Sequence, residues 1–311
     1  MELLIALFFG IVQGATEFLP ISGGGHLAVI QNYNQTLFGA ELFSPTLTFD
    51  ILLQLGTLLA IFFVFFADIK RLGREFMMCI GDLLHKRFSL HTDRPYRQLL
   101  YMLTVTTLFL IPSVFIIEQV ESNFSKLSII AVTLMVTGIC NIMIDSIGNK
   151  KARTGPPPHK EDEKHSLTEP DSKHSLVLFN EAIDRPGDVL KKGALVGIFQ
   201  LFSIIPGISR CSLTVMGGLF AKFRRDFTVR YAFLAAIPVL TVKILMQTSI
   251  VMQDGITLHF LPYFVGMIAA FISSLFFIAF MRKAVRKNWC KRFGIYCLML
   301  GMFVMMIQLR G

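Results

Sequence analysis

The chain has 311 residues, of which 53% are hydrophobic and only 16% charged, against about 25% charged in an ordinary soluble domain. Its mean hydropathy is +0.60, and its apolar residues fall in long runs, which excludes a soluble globular domain. The net charge of +9 would suit nucleic acid. The Lys and Arg residues, however, sit in segments between apolar runs, where they set membrane orientation, so nucleic acid is excluded as a partner.

The first apolar stretch, roughly 3–28, lacks a basic start and is interrupted by Gln13 and Glu17, so it is expected to be retained rather than cleaved as a leader. Gln13 and Glu17 are four residues apart and share one face of a helix. Pro20 breaks that helix, Ser22 to Gly25 form a loop of small residues, and a second helix is expected to begin near His26. Glycines at a helix start expose backbone N–H groups and let an anion approach closely, with the helix dipole favouring negative charge there. A carboxylate within an apolar segment is costly and marks Glu17 as a functional candidate.

Apolar spans follow at 47–67, 98–118 and 127–147, each near the ~20 residues that cross a bilayer. Asp50 opens the first of them and is expected to cap it. Residues 149–190 are rich in Pro, Lys, Glu, Ser and His and too polar for a core, so they read as a flexible linker. His159, His165 and His174 in it are taken as solvated rather than metal-binding.

A second broken apolar stretch spans 193–221. It carries Pro206-Gly207-Ile208-Ser209-Arg210-Cys211-Ser212. The guanidinium fork of Arg210 matches phosphate oxygens, and Ser209 and Ser212 add hydroxyls. Cys211 is a conceivable nucleophile, but an apolar setting keeps a thiol protonated. The five cysteines form no CxxC pair and read as apolar filler. Spans at 228–250, 260–281 and 293–309 complete the chain; Lys243 lies well inside the first of these, facing the bundle or snorkelling.

Lys and Arg number seven in 68–97, nine in 148–192, four in 222–230 and six in 282–292, against none in 27–46 or 251–259. The positive-inside rule puts the four basic segments in the cytoplasm. The stretch 193–221 then starts and ends inside, and 1–45 would dip in from outside. The expected fold is all-α and integral to the membrane: an inverted repeat, each half a broken re-entrant helical hairpin plus three transmembrane helices. The halves are 1–148 and 191–311. Gly10-Ile-Val-Gln13 stands nine residues before Ser22, and Gly197-Ile-Phe-Gln200 nine before Ser209, as internal symmetry requires.

An acid, an imidazole, a guanidinium, hydroxyls and a glycine turn are the parts that phosphoryl transfer needs. Carboxylates also hold Mg²⁺ or Ca²⁺ against a diphosphate. The residues alone leave a choice between an enzyme acting on an anionic lipid and an anion transporter.

The run QGATEFLPISGGGH at 13–26 resembles the (E/Q)GxTEFLPxSSxGH motif of the undecaprenyl-diphosphatase (bacitracin-resistance) family, and PGISRCS at 206–212 resembles its PGxSRSG motif. Phe49-Asp50, Gln54-Leu55-Gly56 and Tyr231-Ala232-Phe233-Leu234 with Pro238 extend the likeness over all but the linker. The resemblance implies hydrolysis of undecaprenyl diphosphate, a polyprenyl diphosphate carrier of cell-wall synthesis, with a divalent cation (Mg or Ca). It also implies a multi-pass protein of the bacterial inner membrane whose site opens to the periplasm. By position, Glu17, His26 and Arg210 are the catalytic candidates. Ser22, Gly23, Gly24, Gly25, Ser209 and Ser212 are candidates for substrate binding, and Gln13 with Glu17 for the metal.

The departures are Gly23 and Gly24, where the family has hydroxyls, and Cys211-Ser212, where it has Ser-Gly. A hydroxyl at position 23 is one nucleophile proposed in the family, and this chain cannot use it. His26 attacking phosphorus, or Glu17 and His26 activating water, stays open beside a second outcome: a protein that binds or moves a polyprenyl phosphate without hydrolysing it. Oligomeric state, a homodimer included, is open.

Overall fold

The computed structural model describes residues 2–38, 46–87, 89, 94–152, 188–254 and 260–310. It is all-α. The helices are α1 (Glu2–Phe18), α2 (Gly23–Phe38), α3 (Leu47–Val64), α4 (Phe66–Leu84), α5 (Pro95–Leu108), α6 (Ile111–Phe124) and α7 (Leu127–Ala152). They continue as α8 (Asp188–Leu201), a 3-10 turn (Phe202–Ile204), α9 (Arg210–Phe220), α10 (Arg225–Asp254), α11 (Phe260–Arg286) and α12 (Cys290–Arg310). Among the described residues, five are long and apolar enough to cross a membrane: α3, most of α7, α10, α11 and α12.

The expected span 98–118 is not one helix. The chain turns at Phe109 and Leu110 between α5 and α6. Pro112 lies in the first turn of α6, where its missing N–H costs nothing, and it could not have continued α5. The cap of α3 also differs from expectation. Thr46, not Asp50, accepts the Phe49 N–H at 3.3 Å, while Asp50 accepts from Gln31 Nε2 of α2 at 3.5 Å. Residues 149–152 continue α7, and the linker residues 153–187, with His159, His165 and His174, lie outside the described residues.

Without a hydrophobic force between helices in lipid, small residues bring backbones together. Gly10 and Gly14 of α1 lie against Gly266, Ala270 and Ser273 of α11, and any side chain there would collide with them. Gly138 of α7 and Gly294 of α12 face each other in the same way: a Cβ on Gly138 would stand 2.7 Å from the Gly294 carbonyl. The helix α8 packs on α5, where Thr106 donates to the Gly193 carbonyl at 2.8 Å. The helices α3 and α10 pack together, with Gln54 Nε2 donating to Gln247 Oε1 at 3.1 Å. This leaves the α1–α2 and α8–α9 turns side by side, both against α7.

Candidate functional site

The two turns meet on the middle of α7. Asn141 donates to the Pro20 carbonyl of the first turn. Thr133 donates to the Pro206 carbonyl at 2.6 Å, Thr137 donates to the Gly207 carbonyl at 2.9 Å, and Thr137 Oγ1 accepts the Ser209 N–H at 3.0 Å. Ser212 completes the clamp, its hydroxyl lying 2.8 Å from Asn141 Oδ1 and 3.1 Å from the Pro20 carbonyl. Thr133, Thr137 and Asn141 recur every fourth residue, so a single face of α7 satisfies backbone groups that the breaks leave without helical partners.

Two glycines let the turns touch. Gly207 has φ +89°, a conformation that costs an L side chain, and a Cβ there would collide with Thr133 Oγ1. A Cβ on Gly25 would lie 2.9 Å from the Gly207 Cα. Gly25 therefore has to be bare for the second turn to seat. Ser22 itself has φ 71°, a strained setting for a residue with a side chain. It caps α2 by accepting the Gly25 N–H at 3.3 Å, and Ser209 caps α9 by accepting the Ser212 N–H at 3.2 Å. The opening N–H groups of both helices, those of Gly23 and Gly24 and of Arg210 and Cys211, precede the helical ladder. Two positive helix ends thus converge on one spot.

At that spot Arg210 of α9 donates through Nη2 to Glu17 of α1. Both side chains are mostly buried, with 19% and 13% of their surface exposed. Gln13 Nε2 lies 3.5 Å from Glu17 Oε2. A Cβ on Gly23 would stand 3.2 Å from the same oxygen, so the place of the missing hydroxyl borders the Glu17 carboxylate. Gly24 is exposed, and nothing lies within 4 Å of where its Cβ would be; the cradle opens there.

His26 points elsewhere. Its Nδ1 lies 2.8 Å from the Ser22 carbonyl and its Nε2 2.9 Å from the Tyr296 hydroxyl of α12, with the rings stacked. A carbonyl only accepts, so Nδ1 carries the proton and Nε2 accepts from Tyr296. Both nitrogens are engaged and the residue is buried. Cys211 is buried in the main apolar core.

The structure therefore joins Gln13, Glu17, Gly23 and Arg210. It puts Ser22, Gly25 and Ser209 in the turns that position them, and Ser212 in the clamp. Sequence reasoning missed Thr133, Thr137 and Asn141, whose fourfold spacing within an apolar span was a readable signal, and Tyr296, for which there was none. Among the described residues no three His, Cys, Asp or Glu side chains cluster as metal ligands. Glu17 accepts from Arg210 through Oε1 and lies beside Gln13 Nε2 through Oε2, so a cation there would displace these donors and take its remaining oxygens from a ligand.

The sequence model of the family "Bacitracin resistance protein BacA" matches residues 6–303. The undecaprenyl-diphosphatase of Alkaliphilus metalliredigens is 31% identical over 306 residues, covering 98% of each chain. That of Methanobrevibacter smithii is 29% identical over 312 residues, again 98% of each. That of Prochlorococcus marinus is 27% identical, over 98% of this chain and 99% of its own.

Proposed function

The chain belongs to the bacitracin resistance protein BacA family, and from that premise we propose that it hydrolyses undecaprenyl diphosphate to the monophosphate and inorganic phosphate. The observation that carries the proposal is the Glu17–Arg210 pair, which links the two broken segments at a junction of two helix N-termini. A diphosphate head group brings several negative charges. Arg210 and the opening N–H groups of α2 and α9 meet them, and Glu17 is the acidic group beside them among the described residues.

The water route suits the geometry better than direct attack by His26, whose ring nitrogens hold Ser22 and Tyr296. A water in the space beside Gly23 lies next to Glu17. Its oxygen attacks the terminal phosphorus, its proton passes to the carboxylate, and the bridging P–O bond breaks to release the lipid monophosphate. Arg210 faces the charge that develops on the phosphoryl oxygens. Gln13 and Glu17 would hold Mg²⁺ or Ca²⁺ against the diphosphate, which would neutralise part of its charge.

The same reading extends to topology. The two hairpins α1–α2 and α8–α9 enter from opposite faces as an inverted repeat, the first in 1–148, the second in 191–311, with the site reached from the periplasmic side. The pairing of α1 with α11, mirrored by α8 with α5, supports this, as do the matching serine caps. The match is incomplete chemically: Gln200, the counterpart of Gln13, is buried with neither end of its amide paired among the described residues.

The test is phosphate release from a polyprenyl diphosphate in detergent. Arg210→Ala and Glu17→Ala are each expected to lower turnover about 10²–10³-fold, as for loss of a group facing transition-state charge. Normal turnover by both variants would overturn the proposal. The absent hydroxyls at Gly23 and Gly24 favour one second reading, a polyprenyl-phosphate translocase. It is recognised by lipid movement in liposomes without phosphate release from the parent protein.

A further inference from the structure

The helix α4 is sorted by charge in an unusual way. Its carboxylates Asp68, Glu75 and Asp82 recur every seventh residue and all face the protein. Asp68 pairs with Arg230 and accepts from Tyr96 at 2.9 Å. Arg97 donates to Glu75 at 3.1 Å and to Asp82 at 2.7 Å. The acidic side of α4 is therefore neutralised against α5 and α10.

The opposite side is apolar and uncovered. Phe66, Phe76, Met77, Ile80, Leu83 and Leu84 are all exposed large side chains, at the spacing of one helix face. Lys70 and Arg74 border this face; both are exposed and neither enters an ion pair among the described residues. Lys86 and Arg87 continue the basic border past the helix end, also exposed. Yet α4 is not among the helices apolar enough to span a bilayer. It begins two residues after the span α3 ends, on the side that the Lys and Arg count makes cytoplasmic.

An exposed apolar face with cations along its open flank and past its end, starting where a span leaves the bilayer, matches one surroundings: the head-group layer of an anionic leaflet. The geometry points to α4 as an interfacial helix that buries its apolar face in the cytoplasmic leaflet and holds anionic phospholipid through Lys70 and Arg74. Water would leave six large apolar side chains exposed.

The experiment uses the full chain with Trp289→Phe, which removes its single tryptophan, and Met77→Trp as a reporter on the apolar face. The protein is reconstituted in vesicles of brominated phosphatidylcholine or brominated phosphatidylglycerol. Bromine near the head group should quench Trp fluorescence more than bromine at the chain ends. At low salt the anionic lipid should be preferred by about fivefold for each cation, and the preference should shrink with ionic strength. The double variant Lys70→Gln/Arg74→Gln should lose it. Absent quenching, strongest quenching from chain-end bromine, or equal quenching by both lipids in the parent protein would overturn the inference. The last readout needs no charge variant to fold.

Discussion

Consider replacing Gly24 and Gly25 by alanine, one at a time. They are adjacent in the first turn of α2, so an alanine gains helix propensity at either position, up to about 1 kcal/mol. The contacts differ. At position 24 the new methyl meets nothing within 4 Å; at position 25 it stands 2.9 Å from the Gly207 Cα, 3.1 Å from Leu134 Cδ2 and 3.1 Å from Ser22 Oγ. Carbon atoms rest at about 3.5–4.0 Å, so the two turns must separate by roughly 0.6–1 Å. Gly207 cannot yield, because Thr133 and Thr137 hold the carbonyls of Pro206 and Gly207. Overpacking of this kind costs about 1–3 kcal/mol, and a displacement near 1 Å costs about 10²-fold in rate. Thermal unfolding in detergent and phosphate release together read the result. Gly24→Ala should keep both stability and turnover, and Gly25→Ala should lose about 1–3 kcal/mol and most of its activity. Equal behaviour of the two variants would refute the claim that the site depends on the contact between Gly25 and Gly207.

Gly23→Ser should fold, because its Cβ meets two side-chain oxygens, Glu17 Oε2 at 3.2 Å and Thr16 Oγ1 at 3.3 Å, and comes no closer than 3.5 Å to backbone. Phosphate release should rise about tenfold as the tethered hydroxyl gives its proton to Glu17 and attacks phosphorus, and water then hydrolyses the phosphoserine; an unchanged rate would show that position 23 does not supply the attacking group. Tyr296→Phe removes the hydroxyl that His26 Nε2 accepts from, and should cost about 1 kcal/mol in thermal stability with turnover changed less than about threefold. A loss as deep as that of Arg210→Ala would instead put the imidazole at the phosphorus. Asn141→Leu removes one of the two donors to the Pro20 carbonyl and leaves the Ser212 hydroxyl as the other, and it should destabilise by about 1 kcal/mol. It should also lower turnover, because the first turn loses its hold on α7.

The site was legible where chemistry contradicts surroundings. Glu17 and Arg210 stand out because an ionised group in an apolar run needs a reason, and the reason each supplies is the other. Five of the six expected spans were legible from the length and hydropathy of their apolar runs. The break between α5 and α6 was signalled by Pro112 but masked by the hydropathy of the whole run. Residues 68–97 were read by counting charges, which hides the fact that α4 turns its acids inward and its apolar side outward. The bond between His26 and Tyr296 joins residues 270 apart, and no local pattern announces it. Asp50 was placed correctly near a helix start, but Thr46 is the cap because its hydroxyl, one turn earlier, reaches the open Phe49 N–H.

A helix that stops inside a membrane protein exposes backbone groups where water cannot serve them, and such breaks persist only where protein satisfies them. Here α7 does so for both turns from one face, and this has a consequence for the chemistry. The groups that quiet the backbone also fix the distance between the halves, since Asn141 holds the first turn and Thr133 and Thr137 hold the second. The opening N–H groups of α2 and α9 have no helical partner, and on the reading proposed above they serve the anion. On that reading the two turns divide their backbone groups: the carbonyls of Pro20, Pro206 and Gly207 and the Ser209 N–H go to α7, and the opening N–H groups of the helices go to the ligand. The Glu17–Arg210 pair sits where the division meets, so a change in α7 that never touches the substrate should still reach the reacting groups through the turns.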